Sequence, residues 1–386
     1  MEESLRVYST IKGFMGQTGL VFNDVRNFAT FVWAVVGLLL SKEIHLSQWL
    51  LYRTGGAKAA SKERQLARWL HNEKIKPNQV YRNLLSAALV EWQTSELEIA
   101  LDTSVLWERF VIVRLSAIYR GRALPLGWLV LEQKSASVSF LAYAELVRTV
   151  ACLLPTHCRV LLLADRGFVD VKLMHLAVDL GWHFTLRAKS NLWVYRAFRN
   201  RCKMAALMPP KGEIHLIAVA QVTEQRFGPI ALALGHVRTK HGYERWALIS
   251  DRPPSLATFE EYGRRFDIEE NFLDDKSAGF QLESSQLDDA NALCRLCLIL
   301  AAATLYLVST GTAITVMHLR PLVDTHWQRG LSYLQIGWRW LHFALAHTHL
   351  LVARLWLEPG PDPEPVFASR RQPFTFAFSA IYLFDD

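Results

Sequence analysis

An α/β protein is predicted: a helical N-terminal stretch, a mixed-sheet domain with a β-rich insertion, and a mixed C-terminal tail. Three observations predict it. Apolar residues recur at helical spacing up to about residue 95; three strand-like runs with short turns follow; strands and helices then alternate. With 386 residues, 51% hydrophobic and 20% charged, the chain exceeds one compact module and excludes extensive disorder.

The first segment, residues 1–95, contains Ser61 placed as an N-cap, followed by Arg64 and Arg68 four apart, with Leu66, Trp69 and Leu70 on another face. Twelve basic and seven acidic residues lie in it, so most of the formal net charge of +7 sits in the first quarter. Such an excess suits either a small helical DNA-binding domain or a solvated helical surface.

From residue 96 the runs 97–104, 110–119 and 123–131 read as strands, with a turn around Arg120-Gly121-Arg122. Residues 139–153 read as a helix. The apolar run 159–165 reads as a strand buried on both faces, followed by a helix over 169–180 and a strand over 183–187. This order, βββαβαβ, is what a ribonuclease H-like domain requires. A β-rich insertion at about 190–250 interrupts it, with strands expected over 214–220, 230–237 and 245–250. Helices are expected over 256–275 and 289–309. The mixed-sheet domain is thus expected to span 96–310, leaving 311–386 as a C-terminal region suited to dimerisation or DNA contact.

The run Phe28–Leu40 has 13 apolar residues, short of the ~20 needed to cross a bilayer, and Cys297–Met317 carries several Thr and Ser. Both are expected to be buried helices of a protein without membrane partners. Five Cys form no disulfide framework, and Met1-Glu2-Glu3 does not open a signal peptide; both fit a reducing compartment.

Two acids end apolar runs. Asp102 closes Leu97–Asp102, and Asp165 closes Val160–Ala164. Ligands collect at the carboxyl ends of strands in open α/β sheets, and neighbouring carboxylates there call for cations such as Mg²⁺ or Mn²⁺. Taken singly, Asp165 suits a helix N-cap or turn equally well, and Asp102 a strand-end bulge. On the helix expected over 256–275, Tyr262, Arg265, Glu269 and Lys276 fall within a stripe of about 60° at about 100° per residue. Glu270 and Asp267 lie about 100° and 160° from Glu269. The plain alternative is a solvated face with an Arg265–Glu269 pair.

The spacing Tyr-(2)-Arg-(3)-Glu-(6)-Lys resembles the signature of a group of bacterial insertion-sequence transposases with an Asp-Asp-Glu triad. The segments around Asp102, around Asp165-Arg-Gly-Phe, and from Trp246 to Pro253 resemble family segments too, and the likeness spans about residues 40–310. It implies that Asp102, Asp165 and Glu269 are catalytic and ligate two divalent ions, Mg²⁺ or Mn²⁺. It also implies that Tyr262, Arg265 and Lys276 hold phosphates. Double-stranded DNA would be the partner, both element ends and target, in a homodimer performing cut-and-paste movement with a hairpin step. The location implied is the bacterial cytoplasm, at the nucleoid. A nuclease of the same fold and a DNA-binding relic are the alternatives. Trp246 matches a Trp that stacks on a flipped base in relatives, although a core Trp in a strand is equally ordinary.

Other signals carry less. Cys294 and Cys297 lie in an apolar helix without a second pair in metal spacing, and His342, His347 and His349 scatter around a helix. Gly55-Gly56 and Lys58 lack a phosphate-loop frame. Trp338 and Trp340 suit a DNA or subunit contact, or simply an amphipathic helix.

Overall fold

The computed structural model describes residues 2–19, 22, 24–239, 242–365, 374–375 and 378–384. Five helices open the chain: α1 (Glu2–Gly16), α2 (Val25–Ser41), α3 (Leu46–Trp49), α4 (Ala59–Leu70) and α5 (Pro77–Ala88). Asp24 caps α2 by accepting from the Arg26 N–H, and Pro77 occupies the first position of α5. Ser61 is not a cap. α4 starts two residues earlier, behind Lys58, and Ser61 stands in its first turn.

Next come β1 (Glu96–Leu106), β2 (Phe110–Tyr119), β3 (Arg122–Glu132), α6 (Phe140–Ala151), β4 (Arg159–Ala164), α7 (Val171–Asp179) and β5 (His183–Arg187). Their sequence is the βββαβαβ order expected. In space the strands run β3-β2-β1-β4-β5, with β1–β4 and β4–β5 parallel and the β1-β2-β3 meander antiparallel. β4 is buried along Val160–Ala164, a central strand hydrogen-bonded between β1 and β5.

The insertion extends the same sheet. It holds β6 (Trp193–Tyr195), β7 (Cys202–Lys203), β8 (Glu213–Val222), β9 (Phe227–Thr239) and β10 (Gly242–Ser250), and β10 pairs antiparallel with β5. The two short strands β6 and β7 escape sequence patterning because neither is long enough to show alternation.

Then come α8 (Leu256–Arg264), α9 (Asp267–Leu273), a π-helical turn over Asp274–Ala278, α10 (Ala290–Val316) and α11 (Tyr333–Ala346). The single helix expected over 256–275 is therefore two helices and a π turn. β11 (Phe374–Thr375) pairs with β9, and β12 (Ala380–Phe384) pairs parallel with β8.

α10 is the axis of the core. By length and composition it could cross a membrane, yet 94% of its apolar window is buried against protein. α2, α4, α5, β3 and α11 pack around it. Buried polar groups tie the layers together. Arg295 donates to the Leu70 and Ile75 carbonyls, Tyr81 to that of Ala301, and the Trp338 indole to that of Leu39.

The packing corrects three expectations. Residues 1–95 share one core with α10 instead of closing a core of their own. The boundary expected at 310–311 falls inside α10. Trp338 and Trp340 are buried core residues, so neither presents its ring to DNA or a second subunit. The proline-rich stretch Pro359–Pro365 is pinned as well: Asp362 accepts from the Tyr333 hydroxyl at 2.7 Å and pairs with Arg329.

Two outcomes follow from this packing. Deleting residues 1–88 bares the apolar faces of α10 and strips its Arg295 and Tyr81 partners; the remainder should be recovered insoluble, which a soluble-fraction assay checks. At the α10–α11 crossing a Cβ on Gly337 would overlap the Leu307 carbonyl, and one on Gly311 that of Tyr333. Gly337→Ala should cost about 3 kcal/mol in urea unfolding.

Candidate functional site

Strand register brings the first two acids together. Leu101 pairs with Ala164 in the last step of the parallel β1–β4 ladder, so Asp102 and Asp165 each stand one position beyond it. Neighbouring strands lie ~4.8 Å apart, so the two carboxylates leave adjacent backbones. Asp102 does not end its strand; β1 continues to Leu106 through its pairing with β2. Its Oδ1 accepts from the Thr103 N–H at 2.8 Å.

The helical segment supplies the rest. α8 ends at Arg264, and tight turns through Arg265 and Phe266 restart the chain as α9. Arg265 sits in this break, 3% exposed, with its guanidinium between two acids. It donates to Asp102 Oδ2 at 2.6 Å and to Glu269 Oε1 at 2.8 Å. The Tyr262 hydroxyl donates to Asp165 Oδ1 at 3.4 Å. Lys276 Nζ donates to the Val105 carbonyl at 2.6 Å. Asp102, Asp165, Arg265, Glu269 and Lys276 thus line one cleft of about 370 Å³, with Thr103, Ser104, Phe272 and Leu273.

Burial pushes the Asp102 and Glu269 carboxyls up, with Arg265 opposing and the neighbouring acids adding to the rise. Burial likewise pushes the Tyr262 phenol up, so it stays a proton donor at neutral pH. The donor set is three hard carboxylates, the type that Mg²⁺ or Mn²⁺ takes. Among the described residues no three His, Cys, Asp or Glu side chains group closely enough to hold an ion as they stand. Arg265 lies between two of the three. The chemistry of the donors fits a divalent ion, whereas their present spacing fits a guanidinium.

Two sequence expectations change here. Arg265 does not face outward for a phosphate; it holds Asp102 and Glu269. Trp246 is fully buried, stacked on Phe266 at 5.8 Å and edge-on to Tyr262 at 5.0 Å, in a small core between the insertion and α8. No face of its ring is open to a base.

Sequence reading also missed what fixes this segment. Arg114 of β2 meets Asp275 at 2.6 Å, donates to Asn271 Oδ1 at 2.8 Å, and lies over the Phe272 ring. Arg122 of β3 reaches Asp274 at 3.2 Å. The pairs span more than 150 positions, so no local pattern announces them. Asp267, about 160° from Glu269 on a regular helix, is buried enough that its carboxyl is pushed up to about 7, against the pull of Arg122. A second groove, of about 670 Å³, starts at Arg166, the residue after Asp165, and carries Arg187, Lys189 and Arg245 with one acid, Glu244, which pairs with Arg187.

No known family profile matches the chain, and no curated protein matches it. Among solved structures it is similar to the cryo-EM structure of a piggyBac transposase synaptic complex with hairpin DNA. That match has 12% identity and a TM-score of 0.42, over 89% of this chain and 78% of the other. A likeness of that size decides neither family nor activity.

The Arg114–Asp275 pair, buried on both sides, should be costly to halve. Asp275→Ala should lose about 3 kcal/mol in chemical unfolding, and adding Arg114→Met should recover part of that loss.

Proposed function

We propose that the chain is a DNA transposase of the Asp-Asp-Glu type, built on a ribonuclease H-like sheet, that cuts and joins phosphodiester bonds at the ends of a mobile element. One observation carries this reading: three acids from three distant segments, Asp102, Asp165 and Glu269, line a single cleft beside a groove rich in Arg and Lys. Carboxylates converging at the ends of parallel strands suit phosphoryl transfer, and the cationic groove suits a polyanion.

In this reading the chain's own residues orient the acids. Arg265 keeps the Asp102 and Glu269 carboxylates facing each other, and the Tyr262 hydroxyl fixes Asp165. Lys276, anchored on the Val105 carbonyl, adds a positive charge at the cleft for a phosphate. Arg265 is therefore a positioning residue here, and contact with a phosphate would require it to release an acid. Asp102, Asp165 and Glu269 would hold Mg²⁺ or Mn²⁺, which when bound activates an attacking oxygen and stabilises a leaving one. The exposed Arg64 and Arg68 of α4 offer a surface for the element's terminal repeat. Pairing of two ends within a homodimer belongs to the same proposal.

The test uses the full chain, Mg²⁺ or Mn²⁺, and a plasmid carrying the gene with its flanking DNA. Asp102→Asn, Asp165→Asn and Glu269→Gln should each reduce end cleavage at least about a thousandfold while duplex binding persists. Glu270→Gln, whose half-exposed side chain reaches Arg122, should cleave normally. Undiminished cleavage in the three acid variants would overturn the reading. Cut ends that never join a target plasmid would leave a nuclease in place of a transposase.

A further inference from the structure

Between Asp179 and Glu213 the chain holds seven Lys or Arg and no acid. The centre of this run is the connection between β6 and β7, residues 196–201. At its tip Phe198 is fully solvent-exposed, with φ +53°, a backbone region that bulky side chains seldom occupy. Arg199 and Arg201, both exposed, follow it, and Arg196 precedes it. Behind the tip the cations are arranged on aromatic rings. Lys203 Nζ lies 3.6 Å from the Trp193 ring centroid and the Arg201 guanidinium 4.6 Å from the same centroid, while Arg226 stands over Tyr195 at 4.7 Å.

A fully exposed Phe at a strained loop tip makes no contribution to the core, and hydration disfavours it there. Cations on either side give the tip a purpose only with a partner that offers both negative charge and flat apolar surface. Duplex DNA offers phosphates outside and base faces within. Apolar wedges between base steps, flanked by Arg and Lys, are a general means of holding bent DNA. An acidic protein surface would satisfy the cations but give Phe198 no matching stack.

We propose that the β6–β7 loop is a second DNA contact, in which Arg199 and Arg201 grip backbone phosphates and Phe198 wedges against a base step. This assignment rests on the proposed action on DNA and adds to it a contact outside the acid cleft. The loop begins five positions past Asn191 of the groove that also holds Lys189 and Ser190, with Leu192 and the three residues of β6 between them, so one duplex could follow both surfaces.

The experiment titrates the full chain, without divalent metal, against a mixed-sequence duplex carrying 2-aminopurine, which brightens when unstacked. Phe198→Ala should weaken binding about tenfold and abolish the brightening, with the salt dependence unchanged. Phe198→Trp should restore both. Arg199→Ala with Arg201→Ala should lower the slope of log affinity against log salt by about two and keep the brightening at saturation. Wild-type affinity and brightening in Phe198→Ala, with normal duplex binding by the parent, would overturn the loop assignment alone. Absence of any duplex binding by the parent would overturn the DNA reading itself. Polyglutamate bound as tightly as DNA, and weakened equally by Phe198→Ala, would point to an acidic protein and also overturn the assignment.

Discussion

The parallel ladder between β1 and β4 stops at Leu101 and Ala164, and the cleft is arranged around that stopping point. Side-chain direction in a strand has a period of two, so a slip of one residue would turn an aspartate into the apolar layer. The slip is prevented from both sides. β1 is locked to β2 through Leu106, and β4 is held on its other edge by β5. Two like charges are thereby forced together at a buried edge, and Arg265 offsets their repulsion from the helical side. Removing the ladder would leave Arg265 without a reason to be buried.

The helical side has its own constraint. An unbroken helix from 256 to 278 would keep its charged stripe regular, whereas here Arg265 is buried and Glu269 half-exposed at the cleft. The break at Arg265–Phe266 and the π turn at Asp274–Ala278 change the path twice. Each is held by the sheet: Asp102 pairs with Arg265, Arg114 with Asp275, and Arg122 with Asp274. π turns of this type occur often at functional sites, where they re-aim side chains. Here the re-aimed residue is Lys276, which reaches the Val105 carbonyl of β1.

Much of this was legible in the sequence, for identifiable reasons. Strands β1 to β5 show as apolar runs with clear ends, and the acids stand out because they close two of those runs. The spacing of Arg265, Glu269 and Lys276 marks residues that do share a cleft. What was not legible is tertiary. A helical wheel assumes a continuous helix, and the pair that draws Arg265 inward lies 163 positions away in the chain. Trp246 reads the same in sequence whether a sheet face is covered or bare, and α8 covers it. The basic excess of residues 1–95 says nothing about the opposite faces of those helices, which close over α10.

The parallel pairing of β12 with β8 bears on how the molecule is assembled in time. Beyond its partner β9, the outer edge of β8 is shared: β6 bonds near Gln221 and Val222, while β12 takes Glu213–Ile217. Those five positions receive their neighbour from a segment more than 160 residues later. Until it arrives they present open amide and carbonyl groups, the type of edge to which a strand from another copy can add. During synthesis those five positions are made well before the segment that pairs with them. An exchange of β12 between two copies would satisfy the same bonds, making the strand both the lock on the insertion and the element most open to being swapped.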